Sequence, residues 1–241
     1  MRQDYKLLFC LTLLFSYFTA SSQEYREAYE NFDDFVNKEN TNLFYGKEYV
    51  EQHALINNKH KFFSKSSFLK GEVVYSGQIY HDLDLKYNIF DDLLIVKIEK
   101  QAGDATFELF KNRIQKFSID GHTFINIPPK NNTEVHGFFE VLRETHSLTL
   151  LKNHRKKINK LLTKNFTYFE FEPEPAQYVI SISEEYYKIN SQSDWAKVFP
   201  EHIKKIDSYF NNKKALRESA PDRFMLELFL DIAEIYNPNN L

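Results

Sequence analysis

The sequence predicts an α+β fold, an antiparallel β-rich domain (a meander, a sandwich or a partly open barrel) with C-terminal helices packed on it. Three observations carry that expectation. Leu83, Leu85, Tyr87 and Ile89 alternate with Asp84, Lys86 and Asn88, which is the two-residue period of a half-buried strand. About ten short apolar runs follow one another from Gly71 to Ile189, each closed by turn residues. Beyond Ser191 the apolar residues recur at three- and four-residue spacing, the period of a helix.

The chain is expected to begin with a signal peptide over residues 1–22. Arg2 and Lys6 form a basic start, Leu7 to Phe15 an apolar stretch too short to span a bilayer, and Thr19-Ala20-Ser21-Ser22-Gln23 a small and polar end. Residues 23–66 read as a preface to the main domain. Tyr25, Ala28, Tyr29, Phe32 and Val36 suggest a short amphipathic helix there, and Leu43 to Val50 a turn entering a strand.

Residues 67–190 hold the expected strands. After Leu83–Ile89 come Leu93–Ile98, Phe107–Leu109, Ile114–Ile119, Thr123–Ile127, Phe138–Arg143, Leu148–Leu151, Phe166–Phe171, Tyr178–Ile182 and Tyr186–Ile189. Asp120-Gly121 marks a tight hairpin between two of them. Residues 191–241 should be helical and belong to the same domain. Serine precedes Asp194-Trp195, Pro200 and Pro221 each suit a first helical position, and Ile203, Ile206 and Phe210 form one stripe. A second stripe runs through Phe224, Met225, Leu228, Phe229, Ile232 and Ile235, and Asn237-Pro238 stops it.

Composition narrows the function classes. Cys10 is the single cysteine and lies within the leader, so a mature chain has no disulfide, thiolate metal site or cysteine nucleophile. Net charge is −3; removing residues 1–22 takes away Arg2, Lys6 and Asp4, leaving −3 − 1 = −4. That near balance argues against nucleic acid as a partner. The 23 Phe and 15 Tyr against 6 Gly favour a sheet with an aromatic core, which an incompletely filled concavity could turn into a binding site for an apolar ligand.

No motif for catalysis, a metal or a cofactor is found. His81-Asp82-Leu83-Asp84 puts two acids on one face and the histidine on the other, and reads as a hairpin turn with solvated acids. His136, Glu140, Glu144 and His146 lack the spacing of a zinc peptidase helix, and His154 belongs to no pattern. Tyr75-Ser76-Gly77 is not a nucleophile elbow, and no glycine pair forms a phosphate loop. The sharpest charge feature is a basic run, Lys152, His154, Arg155, Lys156, Lys157, Lys160 and Lys164, a candidate surface-contact patch for an anionic surface. Glu170, Glu172 and Glu174 with Pro173 and Pro175 read as a stiff acidic turn able to pair with it.

Asn42 to Tyr49, Gly71 to Tyr80, Leu83 to Asn88, Phe117 to Phe124, Gly137 to Leu142 and the basic stretch Leu151–Lys157 resemble a group of exported Bacteroidetes proteins, chiefly flavobacterial. The resemblance spans most of residues 42–236 and rests on turn glycines and strand aromatics. It implies the fold class and an exported, periplasmic or envelope-associated setting, and no mechanism. The expected function is therefore a non-enzymatic exported protein acting through contacts with an envelope protein or an anionic surface. The second reading is a carrier of a lipid or other apolar ligand, and the third an enzyme; the mature chain is not expected to span a membrane.

Overall fold

The computed structural model describes residues 46–53, 58–98, 104–130 and 134–236; the expected leader and the helix over 25–36 lie outside these. The described residues form eleven strands: β1 (Lys47–Glu48), β2 (Leu69–Tyr75), β3 (Gln78–Asn88), β4 (Leu93–Ile98), β5 (Ala105–Glu108) and β6 (Ile114–Ile119), then β7 (His122–Ile127), β8 (Gly137–Glu144), β9 (Leu148–Leu162), β10 (Thr167–Ile182) and β11 (Glu185–Lys188). They build one open sheet in the order β1-β5-β4-β3-β2-β6-β7-β8-β9-β10-β11, and every pairing is antiparallel. Two meanders share the centre, because β6 returns to pair with the free side of β2.

Turn chemistry follows the local sequence. Asp120-Gly121 joins β6 to β7 with both φ angles positive, 52° and 78°, as a two-residue hairpin turn requires. Ser76-Gly77 does the same between β2 and β3. Ser183-Glu184, between β10 and β11, takes the same positive φ angles with two residues that resist them.

Two expectations are corrected here. Asp82 is not in a turn: it sits inside β3 with φ 52°, opposite the irregularity at Gly71/Val73, and Lys70 lies 3.4 Å and 3.5 Å from Asp82 and Asp84. Glu172-Pro173-Glu174-Pro175 is not a turn either. It lies within the 16-residue β10, where Pro175 falls in the pairing shift between Glu174 and Gln177, and Pro173, opposite Lys156, sits where β11 has not yet joined the other side of the strand.

Four helices follow: α1 (Gln192–Val198), α2 (Ile203–Asn212), α3 (Lys214–Ser219) and α4 (Pro221–Ala233). Ser191 and Asp194 cap α1 reciprocally, the Ser191 hydroxyl accepting from Asp194 N–H at 3.2 Å and the Asp194 carboxylate from Ser191 N–H at 2.9 Å. Pro200 opens a single 3-10 turn before α2. α3 buries no residue, so it left no stripe for the sequence to show. The other helices pack Trp195, Phe210, Phe224, Leu228, Phe229 and Ile232 onto Leu148 and Leu150 of β9 and Tyr178, Ile180 and Ile182 of β10. Each such ring or branched chain stabilises by about 1.5–3 kcal/mol when fully buried. Phe139, Leu151 and Val179 form a smaller cluster with Ile127 and Val135.

A second aromatic core lies over the middle of the sheet. Tyr87, Phe117, Phe124 and Phe138 pack with ring centroids 4.8–5.7 Å apart, mostly edge to face. Residues 59–63 cover it. Phe63 N–H donates to Tyr87 O and Ile89 N–H to Lys61 O, while Phe171 N–H of β10 donates to Lys59 O. β3 and β10 have five strands between them in the sheet, yet one short segment hydrogen-bonds both. The sheet therefore curls round that segment.

Replacing Ser183-Glu184 by Asn-Gly should raise stability by about 1–2 kcal/mol, because left-handed backbone then falls on residues that adopt it readily. Urea unfolding with an unchanged slope is the measurement; no gain would mean the turn is not strained.

Candidate functional site

β7, β8 and β9 are neighbours, and the register Phe124↔Glu140↔Lys152 sets these three side chains on one face. Two residues along each outer strand, His122 and His154 lie diagonally to Glu140 on the same face. Both reach it. His122 Nδ1 is 2.5 Å from Glu140 Oε1, and His154 Nε2 is 2.6 Å from Oε2. Glu140 is only 6% exposed. Burial by itself raises its pKa, but the hydrogen bonds from His154 and then His122 outweigh it and hold the carboxyl below the ordinary range. An ionised carboxylate only accepts, so each of those nitrogens carries the proton. Phe63 packs edge-on against both imidazoles, with centroids 5.1 Å away.

The same face continues along β9 through Lys152, His154 and Lys156, and onto β10 at Tyr178, the register partner of Lys152. Here it meets two covers that do not join. Phe62 and Phe63 stand on one side, Phe224 and Met225 of α4 on the other, and between them opens a cleft of about 600 Å³. Its floor carries Lys152, His154 and Lys156 beside Tyr178, and Arg155 and Arg217 of α3 also line it. Four Lys or Arg residues thus line it with two acids, Glu174 and Asp222.

Asp222, at the start of α4, organises one end. Lys152 Nζ donates to it at 2.6 Å and the Tyr178 hydroxyl at 2.5 Å. Burial pushes the Asp222 pKa up, yet these two bonds prevail and lower it, and burial with the Asp222 contact raises Tyr178. Lys156 is different. Its Nζ donates to the carbonyls of His60 and Phe62 at 2.6 and 2.8 Å, and among the described residues no carboxylate lies within 4 Å. Burial pulls its pKa down to about 8.

The basic run of the sequence is thus divided by the fold. Lys152, His154, Arg155 and Lys156 line the cleft. Arg155 also pairs with Glu174 at 3.5 Å and Lys157 with Glu172 at 3.6 Å, so the acidic stretch does meet the basic one, as a strand instead of a turn. Lys160 lies near the far end of β9 and Lys164 in the turn beyond it. Phe62, Phe63, Arg217 and Asp222 had no signal in the sequence, Phe224 and Met225 showed only as part of a helical stripe, and the Glu140 cluster becomes legible only once the strand register is known. Among the described residues no three or more His, Cys, Asp or Glu side chains are grouped to hold a metal ion, and no helix is long and apolar enough to cross a membrane. No family model, curated protein or solved structure matches this chain.

Two expectations follow. Because Glu140 has a lowered folded-state pKa, its contribution to stability is present above the unfolded value of 4.5 and is lost as pH falls through the folded one. Glu140→Gln should therefore destabilise at neutral pH by about 1–3 kcal/mol, with the gap to the parent protein closing below that range; urea unfolding across pH would show it, and a pH-independent gap would contradict it. NMR of reductively ¹³C-methylated protein should show one lysine, Lys156, titrating near 8.

Proposed function

We propose that this protein binds an amphipathic anion, with its charged head on the β9 cations and its apolar part between the two aromatic covers. The single observation carrying this reading is the composition of the cleft. Phe62, Phe63, Phe224 and Met225 supply apolar walls, while Lys152, Arg155, Lys156 and Arg217 exceed Glu174 and Asp222 in charge. Binding sites for small molecules are typically concave, largely apolar and carry a few convergent polar groups, with volumes of about 300–1,000 Å³.

Lys156 is the group best suited to hold the head. Lys152 is already satisfied by Asp222 and Arg155 by Glu174, so their charge is largely compensated. Lys156 is met only by carbonyl oxygens among the described residues, and a partly desolvated ammonium gains most from an incoming anion. The reading joins the two leading expectations from the sequence, the lipid or apolar ligand and the anionic contact, in one place. In the exported setting expected from residues 1–22, lipid-derived anions of the cell envelope would be the natural ligand class.

Calorimetric titration with dodecyl phosphate and with the neutral dodecyl maltoside tests it. The phosphate should bind at least about tenfold more tightly. Its affinity should fall as pH rises through about 8, since the anion prefers protonated Lys156. Lys156→Met should weaken the phosphate and flatten that pH dependence, and Met225→Trp, by filling the cleft, should weaken both ligands. Equal binding of the two amphiphiles, or binding indifferent to both substitutions, would overturn the proposal.

A further inference from the structure

The β9–β10 hairpin outruns the sheet. Main-chain pairing of β9 with β8 ends at Lys152, whereas its pairing with β10 continues to Leu162↔Thr167. Along this ribbon the charges are sorted by position. At its base Arg155 meets Glu174, Lys157 meets Glu172, and Lys59 meets Glu170 at 2.7 Å. Beyond the pair Asn159↔Glu170 the acids stop: residues 160–169 contain Lys160 and Lys164 and no Asp or Glu. Neither lysine has a carboxylate partner among the described residues.

The tip is also apolar, in a way that the fold does not use. Leu162 is 75% exposed, the highest value among the large hydrophobic side chains of the described residues, and Phe166 is 54% exposed. Their exposure is built in. Thr163 closes the turn, its N–H and hydroxyl both donating to Phe166 O at 2.9 Å while Phe166 N–H reaches Thr163 Oγ1 at 3.1 Å. Tyr168 stands beside Phe166 with ring centroids 6.1 Å apart.

We infer that this hairpin tip docks on an anionic phospholipid surface, inserting Leu162 and Phe166 at headgroup depth while Lys160 and Lys164 meet lipid phosphates. Aromatic and aliphatic side chains ringed by lysines suit that interface, where the apolar groups leave water and the cations gain from the negative surface potential. An acidic protein face would match the lysines but gives no reason for a projecting leucine and phenylalanine. The inference stands on the tip and is independent of the cleft.

Co-sedimentation of the full chain with vesicles of phosphatidylcholine, alone or with about 30% phosphatidylglycerol, tests it. Binding is expected to the mixed vesicles, weakened at least about fivefold by Lys160→Glu with Lys164→Glu, and likewise by Leu162→Ser with Phe166→Ser. All four positions are exposed, and circular dichroism with a thermal melt checks that the variants fold. In Phe166→Trp the added indole should shift its emission to shorter wavelength on mixed vesicles, measured against the buried Trp195. No shift, equal binding of the parent and the serine variant, or a self-association that the serine variant abolishes would overturn it. A dodecyl phosphate titration unchanged by the tip variants is the expected companion result.

Discussion

The structure turns on the segment 59–63. It is hydrogen-bonded to β3 through Phe63 N–H and Lys61 O, to β10 through Lys59 O, and its His60 and Phe62 carbonyls receive the Lys156 ammonium. An isolated antiparallel sheet of this length has no reason to bring its fourth and tenth positions together. The segment supplies one, since it satisfies backbone groups on both sides and lays Phe63 over the aromatic core. Lys61 is 2% exposed and is neutralised by Glu51 at 2.8 Å and Asp91 at 3.6 Å, so the tie carries its own compensated charge.

The cleft is a consequence of that tie. The concave face of β8–β10 is wider than either cover. The 59–63 segment protects one end and the helices the other, and the floor between them is polar. A floor of Lys152, His154 and Lys156 could not have been buried under a continuous apolar layer without leaving charges unpaired. The gap and the charges therefore belong together. The Glu140 carboxylate, held by His122 and His154, is the point where the polar floor passes into the aromatic core.

The ribbon of β9 and β10 shows the same rule along another axis. Near the sheet its run of basic and polar side chains from Lys152 to Lys157 is answered by acids on the opposite strand. At the tip that answer ceases, and exposed leucine and phenylalanine take the place of ion pairs. Paired charges make a surface that is indifferent to partners, whereas unpaired lysines beside apolar groups make one that selects an anionic interface.

Much of the fold could be read from residues alone. Strict alternation from Leu83 to Ile89, the Asp120-Gly121 turn, the serine cap before α1 and the stripe of α4 are local signals, set by a residue and its neighbours a few positions away. Helix α3 and the continuous β10 were hidden, the first because it buries nothing and the second because Pro173 and Pro175 imitate a turn, although Pro175 falls in a bulge of β10 itself and Pro173 where only β9 is paired with the strand. The cleft was out of reach for a deeper reason. Phe62, Glu140, Lys156, Tyr178 and Asp222 are far apart in the chain, and only the antiparallel register and the curl of the sheet place them together. Lysine in a strand looks the same whether it faces bulk water or a half-covered floor; pairing decides which.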